Sequence, residues 1–181
     1  MPQRIAIISE HASPLVAVGG IDSGGQNIYV AETARQLAAR GCSVDVFTRK
    51  DEPDLPEVVD WLPGVRVIHV PAGPAAFVRK EDLLPLMPEF AAFVQRFAAT
   101  QRYDLAHAHF FMSGLVAMQL KASLGLPFVV TFQVDAVITD NGFYSEANVG
   151  ACEKNKITPY LDFGRDQHNP IKKIKMNILS N

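Results

Sequence analysis

The sequence predicts an α/β fold, a Rossmann-like doubly wound parallel sheet, and three observations support this prediction. Short apolar runs typical of buried parallel strands alternate with segments of helical periodicity through the first two thirds of the chain. A glycine-rich loop at residues 19–27 comes just before the first helix, where backbone N–H groups and the helix dipole favour an anion. The chain has 181 residues, 48% of them hydrophobic, which is enough for one well-buried domain.

The first elements follow in a regular order. Residues 5–8 form a continuous apolar run, as expected of a central strand covered on both faces. Residues 26–40 have apolar side chains at helical spacing, and Gly41 stands where a left-handed C-terminal cap belongs. Residues 44–48 and 65–70 are then predicted strands, separated by a loop rich in proline and aspartate.

The later elements continue the alternation. Residues 88–99 are predicted to form a helix that begins with a proline and buries a stripe of phenylalanines. Residues 113–124 are predicted to form the next helix, with Ser113 as its N-cap and Gly125 as its terminator. The remaining predicted strands are residues 105–109 and 127–131.

The composition of the chain predicts which partners it binds and in which compartment it is located. The formal net charge is −2, so the chain has no basic field and nucleic acid is not expected as a partner. Cys42 and Cys152 have no metal-ligand spacing, which favours a reducing compartment. The N-terminal apolar run is too short for a signal peptide, and no segment is long enough to span a membrane. We therefore expect a soluble, unprocessed cytoplasmic protein.

Ligands of open parallel sheets bind beyond the carboxyl ends of the strands, where this sequence places polar residues such as Lys80 and His109. Gly24 and Gly25 lack Cβ atoms, so the backbone at the start of the first helix could approach a phosphate closely. The alternative is an ordinary flexible loop. His107 and His109 lie on one face of a strand, but no third ligand accompanies them, so no metal site is expected.

Several separate motifs carry a family resemblance. They are residues 20–32, 41–49, 71–74, 80–81, 104–109 and 127–132. In this order they resemble the N-terminal domain of retaining GT-B glycosyltransferases, in the branch that holds sucrose synthase, sucrose-phosphate synthase and the inositol-phosphate N-acetylglucosaminyltransferase of mycothiol synthesis. The resemblance implies transfer of a hexosyl group from a nucleotide-sugar donor, such as a UDP-sugar, to a sugar or sugar-phosphate acceptor. It also implies retention of the anomeric configuration and no cofactor or metal.

The resemblance also implies residue roles. Gly24 and Gly25 would lie against the donor diphosphate and sugar, and His109 would face the cleft as a candidate catalytic residue. The residues implied to contact the acceptor are Asn27, Lys80 and Thr131. A lysine suits an acceptor phosphate because its ammonium group is a mobile point charge. The alternatives are a polar helix-start residue at Asn27 and a solvated side chain at Lys80. We expect three aromatic residues to be packing residues rather than stacking platforms: Phe77, Phe110 and Phe111.

The sequence also departs from the family pattern. Gln133 stands where the family has a histidine, and the 181 residues do not include the second Rossmann-like domain that binds the donor in the family. Without the charges that stabilise the leaving diphosphate, we expect a truncated product with little or no activity alone. The alternative is an acceptor-binding half that works with a separate donor-domain chain.

The segment after Gln133 has another character, and we predict three parts: residues 4–132, residues 134–169 and a tail at residues 170–181. The second part resembles a fragment of a DDE transposase from a bacterial insertion element. The residues that carry this resemblance are 135–148, 157–160 and 164–169. A chimeric product of an insertion element follows from it, whereas a nucleic-acid-processing function is disfavoured by the acidic balance.

Local patterns inside the second part predict a strand at 136–139, a helix at 145–155 and a strand at 157–161. Asp140 occupies the position of a metal-binding aspartate of the transposase family. Such a site needs further carboxylates, so the sequence favours a turn residue before Gly142.

Overall fold

The computed structural model describes residues 2–16, 25–132, 136–139 and 158–161. The chain divides into two compact units, Met1–Gln133 and Val134–Asn181. In the first unit, the described strands form a six-stranded sheet with the order β3-β4-β2-β1-β5-β6. The strands are β1 Arg4–Ile8, β2 Ser43–Arg49, β3 Val58–Leu62, β4 Val65–Val70, β5 Leu105–His109 and β6 Phe128–Thr131; the α-helices are α1 Gly25–Ala39, α2 Met87–Gln101 and α3 Phe110–Leu124.

The doubly wound architecture predicted from the sequence is confirmed. Helix α1 packs on one face of the sheet against side chains such as Ile5 and Ile7. Helices α2 and α3 cover the other face, where Ala6 and Ile8 point. Because successive residues of β1 face opposite helical layers, the strand is apolar throughout. All strand pairs in this sheet are parallel except that of β3 with β4.

Strand β3 corrects the prediction that the whole segment between β2 and β4 is a loop. Val58–Leu62 pairs antiparallel with β4 at the edge of the sheet, with a register shift between Asp60 and Leu62. The turn that joins them contains Gly64, whose φ is +80°. The strand escaped prediction because it is only half buried and its apolar residues do not alternate regularly.

The start of α3 is a second correction. The helix begins at Phe110 with His109 as its N-cap residue, so the prediction of Ser113 as N-cap is wrong. Ser113 lies within the first turn and is fully buried. The predicted helix terminators are confirmed, since Gly41 and Gly125 have φ values of +85° and +69°.

In the second unit, β7 Ala136–Thr139 and β8 Thr158–Leu161 form a parallel pair. Both were predicted as strands, the second beginning one residue earlier. The predicted helix at 145–155, Asp140, Cys152 and the tail lie outside the described residues. Across the part of the chain that is described, no helix is both long enough and apolar enough to cross a membrane.

Candidate functional site

The carboxyl ends of the parallel strands and the amino end of α1 lie at the same edge of the sheet. His109 ends β5 and Thr131 ends β6, and the two residues are directly paired in register. Glu10 follows β1, and Lys80 ends the loop that follows β4. Four of the segments predicted to carry ligand contacts therefore reach one edge, as the topology of open sheets requires.

His109 is almost completely buried, with 1% of its surface exposed. Neither ring nitrogen has a hydrogen-bond partner among the described residues. The ring of Tyr29 on α1 meets it edge to face at 5.5 Å between centroids, and the His107 ring lies at 4.3 Å. Burial, with a smaller contribution from His107, lowers the pKa of His109 to about 3. The imidazole is therefore neutral near pH 7 and lies beneath the surface of the edge.

The hydroxyl group of Thr131 is hydrogen-bonded to the ring of His107. Its Oγ1 lies 2.8 Å from Nε2 of His107, across the β5–β6 pair. Burial also lowers the pKa of His107, so this ring too is neutral near pH 7. The hydrogen bond fixes the orientation of the Thr131 side chain at the carboxyl edge of the sheet.

Asn27, on the first turn of α1, is 6% exposed. Its Nδ2 donates to the carbonyl of Ser13 at 2.9 Å, which ties the helix to the segment after β1. Gly25 begins the helix, is exposed, and has open space where a Cβ would stand. Gly24 lies outside the described residues. Asn27 is thus already used as a tether, whereas the backbone at Gly25 is accessible.

Lys80 is an exposed side chain at the start of a short 3-10 helix, Lys80–Asp82. Its Nζ lies 5.8 Å from the centroid of the Phe110 ring. This is within the range of a cation–π contact, so the ammonium group is held over the beginning of α3. Among the predicted acceptor residues Asn27, Lys80 and Thr131, only Lys80 carries a positive charge.

The loop that carries Lys80, residues 71–80, is fixed from two sides. The buried Arg49 guanidinium at the end of β2 donates to the carbonyls of Pro74 at 2.7 Å and Ala76 at 2.5 Å. Burial lowers the pKa of Arg49. The backbone N–H of Gly73 donates to Glu89 Oε2 at 2.8 Å. These contacts hold a loop whose residues 73–77 are exposed.

Sequence reasoning missed a polar cluster after β1. Glu10 is fully buried, and its carboxylate accepts a hydrogen bond from the Ser113 hydroxyl and contacts His11 Nδ1 at 2.8 Å. The backbone N–H of Glu10 donates to the same hydroxyl at 3.3 Å. The available signal was a glutamate placed directly after a continuous apolar strand, at the edge where ligands bind.

Phe110 has a φ of +78°, in the left-handed region that a phenylalanine rarely adopts. Such backbone strain costs about 1–3 kcal/mol and clusters at functional sites. The ring contacts His11, Lys80 and Phe111. The prediction that Phe77 is a packing residue is wrong, because 67% of its surface is exposed; Phe111 is 43% exposed.

No group of three histidine, cysteine, aspartate or glutamate side chains that could hold a metal ion occurs in residues 2–16 and 25–132. A cavity of about 310 Å³ lies at the opposite edge of the sheet, lined in part by Arg102, Tyr103 and Pro127. Its lining includes none of the described residues predicted to contact a ligand, and the strand topology favours the carboxyl edge as the site.

Comparisons with known proteins agree with this geometry. The model of the family described as "Glycosyl transferase 4-like domain" matches residues 24–156. D-inositol 3-phosphate glycosyltransferase 1 of Catenulispora acidiphila is 48% identical over 128 residues, covering 71% of this chain and 30% of that protein. The D-inositol 3-phosphate glycosyltransferase of Corynebacterium diphtheriae is 41% identical over 159 residues, covering 87% of this chain and 37% of that protein.

Among solved structures, the sucrose-phosphate synthase of Thermosynechococcus elongatus matches with a TM-score of 0.70 and 32% identity, covering 84% of this chain and 40% of that one. The chain thus spans about a third of the length of the curated relatives described above. Since the family model covers most of the sequence, the chain belongs to the glycosyl transferase 4-like domain family and is homologous to the N-terminal domain of group 1 GT-B glycosyltransferases.

Proposed function

We propose that residues 4–132 form the acceptor-side half of a retaining hexosyltransferase that uses a nucleotide-sugar donor and a sugar-phosphate acceptor. The observation that carries this proposal is the position of Lys80, whose ammonium group is held over Phe110 at the carboxyl edge of the sheet. A lysine so placed can bind a phosphate. The names of two relatives, D-inositol 3-phosphate glycosyltransferases, support a polyol phosphate as the acceptor.

The other predicted residues take roles that follow from their positions. Gly25 opens α1, and its exposed backbone supports a contact with the donor diphosphate. Gly24 is proposed for the same contact by resemblance. Thr131 and Asn27 are proposed to shape the acceptor pocket, each through a hydrogen bond that fixes a neighbouring segment. The burial of His109 favours a neutral supporting role over proton transfer. No metal or other cofactor is part of the proposed reaction.

Transfer in this proposal requires a donor-binding domain in addition to residues 4–132. That domain would supply the positive charges that stabilise the leaving diphosphate, and such interactions commonly contribute several kcal/mol. The 181 residues by themselves are therefore expected to bind the acceptor without transferring sugar to it. A separate donor-domain chain is the partner that this arrangement would use.

The test is a fusion of residues 1–132 with the donor-binding part of the Catenulispora relative, assayed for hexosyl transfer from a nucleotide sugar to D-inositol 3-phosphate. We expect transfer, and at least a tenfold loss of kcat/KM with Lys80→Ala. Lys121→Ala is the matched control, because the Lys121 ammonium also lies 5.8 Å from a phenylalanine ring, that of Phe128, at the other edge of the sheet. Equal loss in the two variants would contradict the proposal.

For residues 134–169 we propose an origin in an insertion element, which makes the chain chimeric. The division into compact units between Gln133 and Val134 supports a change of origin at that point. The family match through residue 156 argues for a glycosyltransferase origin instead. The nucleotide sequence of the locus decides between them. Inverted repeats and the rest of a transposase gene after codon 133 are expected, and an uninterrupted glycosyltransferase gene would overturn the proposal.

A cytoplasmic location belongs to the same proposal. Its support is the low cysteine content, two residues in 181, which gives no disulfide framework of the kind common in small secreted domains.

A further inference from the structure

We propose that His11, oriented by the buried carboxylate of Glu10, binds a hydroxyl group of the acceptor. The site would then recognise a polyol that carries an anionic group, with Lys80 on the anion and His11 on the polyol. This inference rests on the proposed function and assigns a residue that the family resemblance did not supply.

The Glu10 carboxylate loses its hydration on burial, which costs free energy. Its side chain has no exposed surface, and a buried carboxylate needs hydrogen bonds and an ionic or polar partner to offset lost hydration. Its partners are the Ser113 hydroxyl and the His11 ring. An apolar side chain would fill the same space without that desolvation cost, so stability alone does not explain a glutamate here.

The contact with Glu10 orients the His11 ring. A carboxylate only accepts hydrogen bonds, so the 2.8 Å contact places the proton of the neutral imidazole on Nδ1. The lone pair is then on Nε2, which has no partner among the described residues. The His11 side chain is 19% exposed, so this nitrogen can meet a ligand hydroxyl as a hydrogen-bond acceptor.

The His11 ring and the Lys80 ammonium group both contact the Phe110 ring. His11 packs edge to face on Phe110, with ring centroids 5.6 Å apart. The Lys80 ammonium contacts that same ring at 5.8 Å. One aromatic side chain, held in a strained backbone conformation, therefore separates a cation from an oriented imidazole. That pair matches a phosphate and a hydroxyl on one small polyol.

Calorimetry on the full 181-residue chain separates the two contacts, with D-inositol 3-phosphate and inorganic phosphate as the probes. His11→Ala is expected to weaken binding of D-inositol 3-phosphate about tenfold, the loss of one good hydrogen bond, and to leave inorganic phosphate unchanged. Lys80→Ala is expected to weaken both. If His11→Ala leaves the affinity for D-inositol 3-phosphate unchanged, or weakens both probes equally, the role of His11 is overturned while the proposed function stands. If the wild-type chain binds neither probe, the proposed function itself is overturned, together with this inference.

A ligand-independent measurement tests the orientation. The ring nitrogen chemical shifts of neutral His11, identified by their loss in His11→Ala, are expected to report a proton on Nδ1. Glu10→Met removes the acceptor and is expected to move the proton to Nε2, while an unfolding curve followed by Trp61 fluorescence checks that the domain is folded. A proton on Nε2 in the wild-type chain would overturn the proposed orientation, whatever the chain binds.

Discussion

At the scale of single residues, His109 lies in an environment that almost excludes water. Its ring is buried between Tyr29 and His107, and both nitrogens lack partners among the described residues. Burial disfavours the imidazolium, so the folded state excludes a proton that the unfolded chain binds below about pH 6.5. Stability contributed by the neutral ring is therefore present above pH 6.5 and is lost as the pH falls towards 3.

The first prediction concerns this acid sensitivity. Between pH 6.5 and 5, His109 alone is expected to reduce the free energy of unfolding by about 2 kcal/mol, at about 1.4 kcal/mol per pH unit. His109→Leu cannot titrate at this position, so its free energy of unfolding should fall by about 2 kcal/mol less than that of the wild-type chain over the same pH range. Urea unfolding followed by Trp61 fluorescence measures both proteins, and parallel pH profiles for the two would contradict the account.

The second prediction concerns Gly25. A Cβ at this position meets no atom within 4 Å, and the backbone does not require a positive φ, so Gly25→Val should leave stability within about 0.5 kcal/mol. In the fusion enzyme the same variant should abolish transfer, because the side chain would occupy the space proposed for the donor diphosphate. Ala39→Val, at the far end of the same helix, is the control. Full activity of the Gly25 variant would show that the diphosphate does not approach there.

Lys80 and Thr131 lie at the carboxyl edge of the sheet, where strand order brings the loops together, and their contact with a ligand stays a prediction. Residue-level prediction from sequence missed Glu10 and Ser113, since their hydrogen bond joins residues 103 positions apart. No local pattern encodes such a pairing; it exists only once β1 and α3 are packed together.

At the scale of elements, the loop at residues 71–80 depends on Arg49. The guanidinium reaches two carbonyls of the loop with two different nitrogens, a geometry that an ammonium group cannot reproduce. The carbonyls lie in an exposed segment, where water can replace the lost donors. The side chain is therefore expected to matter more for the position of Lys80 than for stability.

The third prediction follows from that tether. Arg49→Lys should weaken binding of D-inositol 3-phosphate about tenfold, since Lys80 would no longer be held over Phe110, and should cost less than about 1 kcal/mol of stability. Calorimetry and urea unfolding measure the two effects. Arg35→Lys, on the exposed face of α1, is the control. A large loss of stability with unchanged affinity would assign Arg49 to the fold alone.

Most elements could be predicted from sequence because apolar periodicity and glycine caps are local signals. Strand β3 could not, since an edge strand with one irregular pairing needs few buried residues. The early start of α3 was hidden because Phe110 begins the helix with a positive φ, and no sequence rule places an aromatic residue there.

At the scale of the whole molecule, the two edges of the sheet offer different surfaces. The carboxyl edge gathers Lys80, His11, Thr131 and the start of α1, whereas the amino edge holds the cavity beside Arg102 and Tyr103. Topology favours the carboxyl edge, because ligands of open parallel sheets bind there. The proposed function depends on the claim that the carboxyl edge, and not the amino edge, binds a sugar phosphate.

The most direct test is a titration of the isotope-labelled 181-residue chain with D-inositol 3-phosphate, followed by backbone amide chemical shifts. We expect amide shifts that saturate at four residues and that are lost in Lys80→Ala; the four residues are His11, Lys80, Phe110 and Thr131. Saturating shifts confined to Arg102, Tyr103 and Gly125 would place the ligand in the cavity at the amino edge and would contradict the account.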